Sequence, residues 1–351
     1  MYKPEPIYLH PHWRLAGRRA YRVLKTIFIN VLVAVTILLV IEIGVRIFHP
    51  EITPMGTNRN LFAPRVYQNS IAPKPNAIGM SCGVEFRVDQ QGFWKYSAAF
   101  DSTKPSWLLL GDSVTMGMGV DPDSTFAGRL AAAADSFNIL NAAVIGYAST
   151  DYRHVAEGLL QDVPANGKSA LHIQHVALFW CLNDVYANVG DFGAPGQTVR
   201  QISGGLLKFL KLHFYTYQWL KTLLLDRGRD YYLHDRSFYA EAGPHVQAAM
   251  QDLHHIHALA QKNNLRFEVV LLPYQYQLRA GASDRLPQSV MQKNLESMGI
   301  AVYEVTDFLR TVRNETAALY RYGDGIHFSP AGHAVLAKYL QLQFAAVTRH
   351  E

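Results

Sequence analysis

Apolar residues fall along this chain in three regimes. The first is one long run. From Thr26 to Ile41 there is no charged residue, and the apolar character continues to Phe48 with only Glu42 and Arg46 interrupting it. As a single helix this run is long enough to cross a hydrocarbon core of roughly 30 Å. Glu42 and Arg46 stand four apart and face each other on a helix, near the far interface, where a charge costs little. The second regime, 49–104, is rich in Asn and Gly and is broken by Pro50, Pro54, Pro64, Pro73 and Pro75. It reads as a linker leading to a small strand-containing extension: Val84 to Val88 alternates as a strand does, and Asp89 to Gly92 is a turn signal.

The third regime begins at Ser106, where short apolar runs alternate with longer amphipathic stretches. The pattern predicts strands at Trp107–Leu110, Asn138–Val144, His175–Trp180, Phe267–Leu272 and Ala301–Val305. It predicts helices at Ser124–Ala134, Asp151–Leu160, Pro244–Gln261 and Pro330–Phe344. Strand and helix in alternation make a parallel sheet covered by helices. An insertion at about 190–243 separates the third strand from the fourth. It opens with Gly190, Gly193 and Gly196 and continues through Phe209, Phe214, Tyr215, Tyr217 and Trp219. Packing is the default reading of those aromatics; a lid or a membrane-contacting face are the alternatives.

Charge changes the picture at one end only. Residues 1–25 carry six basic side chains and one acidic, which accounts for the whole +5 of the chain, so the remainder is neutral. Nucleic-acid binding by the main domain therefore gains no support. A basic cluster before the apolar run places the N-terminus in the cytoplasm by the positive-inside rule. The expectation is a single-pass protein of a bacterial inner membrane, with everything after about residue 49 on the periplasmic or extracellular side. A cleaved signal peptide is the runner-up, but the run is long and no A-x-A-like site follows it. The two cysteines, Cys82 and Cys181, are too few for a disulfide scaffold and are expected as separate thiols, Cys181 buried.

Candidate chemistry sits at the strand ends. In Leu110-Gly111-Asp112-Ser113-Val114-Thr115-Met116-Gly117 a strand ends, the chain turns at a glycine, and a serine follows where a helix starts. A hydroxyl there lies at the carboxyl edge of a parallel sheet, where α/β sites form, but it needs a base to become a nucleophile. Gly323-Asp324-Gly325-Ile326-His327 supplies one: Asp324 orients His327, and His327 takes the proton of Ser113. Three donors can serve a developing oxyanion: the Ser113 N–H, the Gly146 N–H past the second strand, and the Asn183 side-chain amide past the third. Tyr274 and Gln275, after the fourth strand, are minor candidates for substrate contact; loop packing is the stronger reading of both. Asp184 is expected to order its loop, and His333 to be structural.

The order Gly-Asp-Ser, Gly, Asn-Asp and Asp-x-x-His resembles the SGNH/GDSL hydrolase superfamily over about residues 105–350. The resemblance implies a flavodoxin-like three-layer α/β/α domain, with Ser113, Asp324 and His327 as the catalytic group and Gly146 and Asn183 as oxyanion donors. It implies esterase, lipase, carbohydrate deacetylase or O-acyltransferase activity. Cys181 stands where the family usually has a glycine. An anchor ending in Glu-x-x-x-Arg, followed by Gln91-Gly92-Phe93, is similar to anchored bacterial members linked to envelope polysaccharides.

Other apparent motifs lead nowhere. Gly117-Met118-Gly119 lacks the third glycine of a dinucleotide loop, because Pro122 stands there, and Gly167-Lys168-Ser169 lacks the leading glycine of a phosphate loop. His254, His255 and His257 lack a carboxylate or cysteine frame for a metal. No cofactor or metal is expected. The leading expectation is a serine esterase or acyltransferase acting on an O-acylated envelope glycan. A lipase or thioesterase acting on lipid esters, and a catalytically idle anchored scaffold, are the alternatives.

Overall fold

The computed structural model of the chain describes residues 12–53, 56–161, 171–185, 213–241, 243–312 and 316–347. The glycines of the insertion (Gly190, Gly193, Gly196), together with Phe209 and the segment Gly167-Lys168-Ser169, lie outside the described residues.

The first apolar run forms one helix, α1 (His12–Phe48). Its apolar part, Ala20–Phe48, has 29 residues and a mean hydropathy of 2.6 in its best window. At a rise of about 1.5 Å per residue it is ~43 Å long. Nearly all of it is exposed; only Glu42 and Val45 are buried, both in the last two turns. Glu42 and Arg46 do meet, at 2.7 Å.

The second regime folds as two antiparallel hairpins, β1 (Phe62–Tyr67) with β2 (Ser70–Pro73) and β3 (Ile78–Ser81) with β4 (Val84–Arg87). After them, the Asp89 carboxylate accepts the N–H groups of Gln91 and Phe93 at 2.9 Å, which fixes the turn foreseen from sequence. Phe86, Phe93 and Trp94 are buried, Phe86 and Trp94 edge to face. The extension is thus packed onto the main sheet rather than hung from it. The Trp94 N–H donates to Asn141 O (3.2 Å) and its indole to Ala143 O (2.7 Å), which covers one sheet edge.

Five parallel strands form the main sheet: β5 (Ser106–Gly111), β6 (Asn138–Asn141), β7 (Ile173–Trp180), β8 (Arg266–Leu271) and β9 (Ala301–Glu304). Their order is β6-β5-β7-β8-β9. Every residue of β5 is buried, as expected of a central strand covered on both faces. The helices are α2 (Ser113–Met116), α3 (Phe126–Ala133), α4 (Ser149–Leu160), α5 (Tyr215–Leu224), α6 (Arg227–Arg236), α7 (Pro244–Lys262), α8 (Leu286–Ser297), α9 (Thr306–Val312) and α10 (Pro330–Val347). α3 packs with α10, and α4 with α7. Right-handed crossovers put these two pairs on opposite faces, which makes three layers.

All five expected strands and all four expected helices are present, with shifted ends. β6 stops at Asn141 rather than Val144. There the Asn141 side chain accepts the Ala143 N–H (3.0 Å) and donates to Tyr96 Oη and Thr115 O, so the chain leaves the ladder for a side-chain-built turn. α3 begins at Phe126 because Thr125 caps it, its hydroxyl accepting from Gly128 N at 3.1 Å; a 3-10 turn, Pro122–Ser124, precedes it.

Candidate active site

In sequence order within the sheet, the strands run second, first, third, fourth, fifth. The chain leaves the first strand, β5, in one direction and returns past it, so the switch point lies between β5 and β7. Open parallel sheets form their crevice outside the carboxyl ends of the strands at such a point. Ser113 directly follows β5, and Asn183 follows β7 in a 3-10 turn, Leu182–Val185.

Glycine at 111 makes the turn into α2 possible: a Cβ there would fall 2.1 Å from Thr115 Oγ1. Asp112 caps α2 by accepting the Val114 N–H at 2.8 Å. Ser113 is then the first residue of the helix, 7% exposed.

From the other end of the chain, the loop before α10 brings the imidazole of His327. His327 Nε2 lies 2.8 Å from Ser113 Oγ, and His327 Nδ1 lies 2.8 Å from Asp324 Oδ1. Asp324 Oδ1 also accepts the N–H groups of Ile326 and His327 at 3.0 Å. Burial pushes the Asp324 carboxyl up, but the His327 charge and hydrogen bond and the nearby Arg321 outweigh it, and its pKa sits well below the usual carboxylate range. An ionised Asp324 holds the proton on Nδ1 and leaves Nε2 to accept from the serine.

The other expected residues gather on the same edge, with one exception. The Asn183 amide donates to Asp112 Oδ2 at 3.4 Å, and that oxygen also lies 3.3 Å from Ser113 Oγ. A carboxylate only accepts, so the amide nitrogen is the atom turned toward Ser113. Gly146 is exposed, with φ +81° and nothing within 4 Å of where a Cβ would be, so its backbone fronts open space. Its loop is pinned to the end of β5 by the Val144 N–H on Gly111 O (3.3 Å). Tyr274, a minor candidate for substrate contact, is wholly buried, as the stronger reading of loop packing has it. Its hydroxyl donates to Asp235 Oδ2 at 2.5 Å and lies 3.4 Å from Asn183 Oδ1, behind the amide. Gln275 accepts from Arg279.

Asp184 orders its turn as expected, accepting the Cys181 N–H at 2.8 Å. Burial, and then the charge of Asp112, push its pKa far up. Burial also raises Asp112, against the lowering influence of His327, the Val114 N–H and Asn183. Cys181 and Cys82 are both buried free thiols. His333 is structural: its Nδ1 accepts the Phe126 N–H at 3.2 Å, and burial, followed by the His327 charge, pulls its pKa down to about 3. Sequence reading gave no role to Asp112, Asp235 or Arg321. Asp112 was visible in its motif, and Arg321 stands three residues before Asp324, whereas Asp235 sits in the insertion with no local cue.

No family model and no curated protein matches the chain. A member of the lipolytic protein G-D-S-L family from Veillonella parvula is similar at 14% identity, with 68% of this chain and 96% of that one covered and a TM-score of 0.41. A psychrotrophic esterase from a Pseudoalteromonas species is similar at 11% identity, covering 70% and 100%, with a TM-score of 0.39. A lipase/acylhydrolase from Enterococcus faecalis is similar at 15% identity, covering 68% and 96%, with a TM-score of 0.36.

Proposed function

We propose that this chain is a serine ester hydrolase of the SGNH/GDSL type that works through an acyl–Ser113 intermediate. The observation that carries the reading is the unbroken relay Ser113 Oγ, His327 Nε2, His327 Nδ1, Asp324 Oδ1, with both hydrogen bonds at 2.8 Å. His327 Nε2 takes the hydroxyl proton as Ser113 Oγ attacks the ester carbonyl carbon. The carbonyl oxygen becomes an oxyanion facing the Asn183 amide and the backbone N–H groups of Ser113 and Gly146. On collapse the carbon–oxygen ester bond breaks, and the alcohol leaves with the proton from His327. An incoming hydroxyl group, activated by the same imidazole, then releases the acyl group and regenerates Ser113.

Water as acceptor makes the chain a hydrolase, and a sugar hydroxyl makes it an O-acyltransferase. The proposed substrate is an O-acylated envelope or extracellular glycan, and the proposed location is a bacterial inner membrane with the site on the periplasmic or extracellular side. The proposed organisation is a cytoplasmic tail over 1–25, a span over 26–48, an extension over 49–104 and the hydrolase domain over 105–351. Retention of α1 is supported by Glu42, which accepts hydrogen bonds from Thr216 and Tyr215; a cleaved leader would take those acceptors away. A lipase or thioesterase reading is favoured by the exposed leucines of α5, close to the catalytic loop.

The test is turnover of activated esters by the detergent-solubilised chain. Ser113→Ala should lower kcat by roughly 10⁴-fold or more, and a serine-reactive phosphonate should label the native chain only. Full activity in the variant overturns the assignment, and an unlabelled, inert native chain makes the protein a scaffold. A series of acyl chain lengths separates the two substrates: preference for acetyl supports the glycan, and preference for long chains the lipid.

A further inference from the structure

The end of α1 is built into the domain through α5. The Glu42 carboxylate accepts the N–H groups of Tyr215 (3.1 Å) and Thr216 (2.9 Å) and the Thr216 hydroxyl (2.8 Å). The residue preceding α5, Phe214, makes no side-chain cap, so Glu42, 174 positions before Thr216, caps this helix. Arg46 holds Glu42, donates to His213 O (2.9 Å) and lies 4.3 Å over the Tyr215 ring. His49 stands 6.2 Å from the Trp219 ring. Glu42, Arg46 and His49 recur at helical spacing, so one face of the span's end docks on α5.

The polarity of α5 is inverted relative to a water-facing helix. Its covered side carries Gln218 and Thr222, whereas Leu220, Leu223 and Leu224 share the open side, Leu224 being 78% exposed. An ordinary surface helix buries its apolar stripe and shows its polar one. The leucines lie four to eight residues from Thr216, about 6–12 Å along the helix from the point where α1 is latched. Around the latch α1 is itself apolar and open, with Ile43, Ile47 and Phe48 exposed. Tyr217 and Trp219 are partly exposed among them, in the manner of aromatic residues at a membrane interface.

We propose that α5 is a membrane-surface helix whose leucine face enters the lipid monolayer at which α1 emerges, so that the catalytic loop is seated on the bilayer. The proposal rests on the reading of α1 as a retained span. The occupant of the leucine face is lipid rather than a second protein, because the helix is capped by the span itself and its open leucines begin within a turn of that cap. The loop packs directly against α5. Gly323 leaves room for Thr222, whose Oγ1 would be 1.9 Å from a Cβ there, and Gly325 packs on Gly228 of α6, 2.5 Å from such a Cβ. From the anchor side His49 stands 5.5 Å from the Tyr322 ring, and Thr53 accepts from Arg321. Asp324 and His327 therefore sit in a loop gripped by both membrane-facing helices. The class of substrate this arrangement takes is that of the second reading above, an ester presented at a lipid surface with its acyl or lipid part in the monolayer.

The test uses the full chain in phosphatidylcholine proteoliposomes, with nitroxide labels at Leu224→Cys, Leu32→Cys and Lys262→Cys and the unsubstituted chain as the control for Cys82 and Cys181. The Leu224 and Leu32 labels should collide several-fold more often with oxygen than with a water-soluble nickel chelate, and the Lys262 label should do the reverse. If the Leu32 label is in lipid while the Leu224 label is as open to the chelate as Lys262, the docking fails and the span stands. If the Leu32 label is open to the chelate, the span fails and takes the docking with it. If the Leu224 label is shielded but shows spin–spin broadening that vanishes at one chain per nanodisc, the leucines face another copy and the proposal is overturned.

Discussion

The amide nitrogen of Asn183 has two hydrogens, and among the described residues only one is committed, to Asp112 Oδ2. In the proposed mechanism the other serves an oxyanion forming on a carbonyl carbon bonded to Ser113 Oγ. Removing one such donor costs roughly 10²–10³ in kcat. Asn183→Ala should therefore lower kcat on an activated ester by about that factor with little change in KM, measured by steady-state kinetics. A large rise in KM with kcat intact would make Asn183 a ground-state binding residue instead. The position of Asn183 was legible because a polar residue just past a buried strand end has few other fates. Tyr274 also follows a strand, and loop packing is its stronger reading from sequence. Its burial depends on Asp235, which arrives from α6 to take its hydroxyl, and no periodicity in the chain links positions 39 apart.

Elements meet at the site through residues that do no chemistry. α10 and α3 are joined by His333, which accepts the Phe126 N–H and stacks on the Phe126 ring at 5.7 Å between centroids. Its pKa is pulled from 6.5 to about 3 by burial, so the fold holds it neutral while the unfolded chain protonates it below pH 6.5. Stability from this group is complete above pH 6.5 and is lost progressively as pH falls toward 3, at roughly 1.4 kcal/mol per pH unit. His333→Gln should flatten the acid limb of unfolding stability by about one proton between pH 6 and 4, read from denaturation midpoints at each pH. An unchanged slope would show that the limb belongs to other groups. The helices and strands themselves were readable from their apolar period, while their ends were not. β6 and α3 are terminated by side chains, Asn141 and Thr125, whose partners are fixed only once neighbouring elements are in place.

At the scale of the whole molecule, the end of α1 and the loop carrying Asp324 and His327 are joined through α5. Glu42 supplies the cap that α5 lacks locally. Glu42→Ala should lower the local stability of the first turn of α5 by about 1 kcal/mol, the usual cost of a lost cap. Amide exchange at Tyr215 and Thr216 should quicken accordingly, with the β5 and β7 amides unaffected; unchanged exchange would show that the cap is unimportant. Sequence alone determined the long apolar run and the alternation that makes a parallel sheet, because each is set by a helical or strand period, and it marked the blocks around Ser113, Asn183 and Asp324–His327 as short motifs whose order resembles that of a known superfamily. Tertiary structure decided what those patterns touch. It put Ser113 and His327, 214 positions apart, within 2.8 Å, buried Tyr274, packed the extension over the edge of β6, and turned the leucines of α5 outward beside the end of α1. These are contacts between distant segments, fixed by which faces the sheet and the long helix leave to be covered, and no local spacing encodes them.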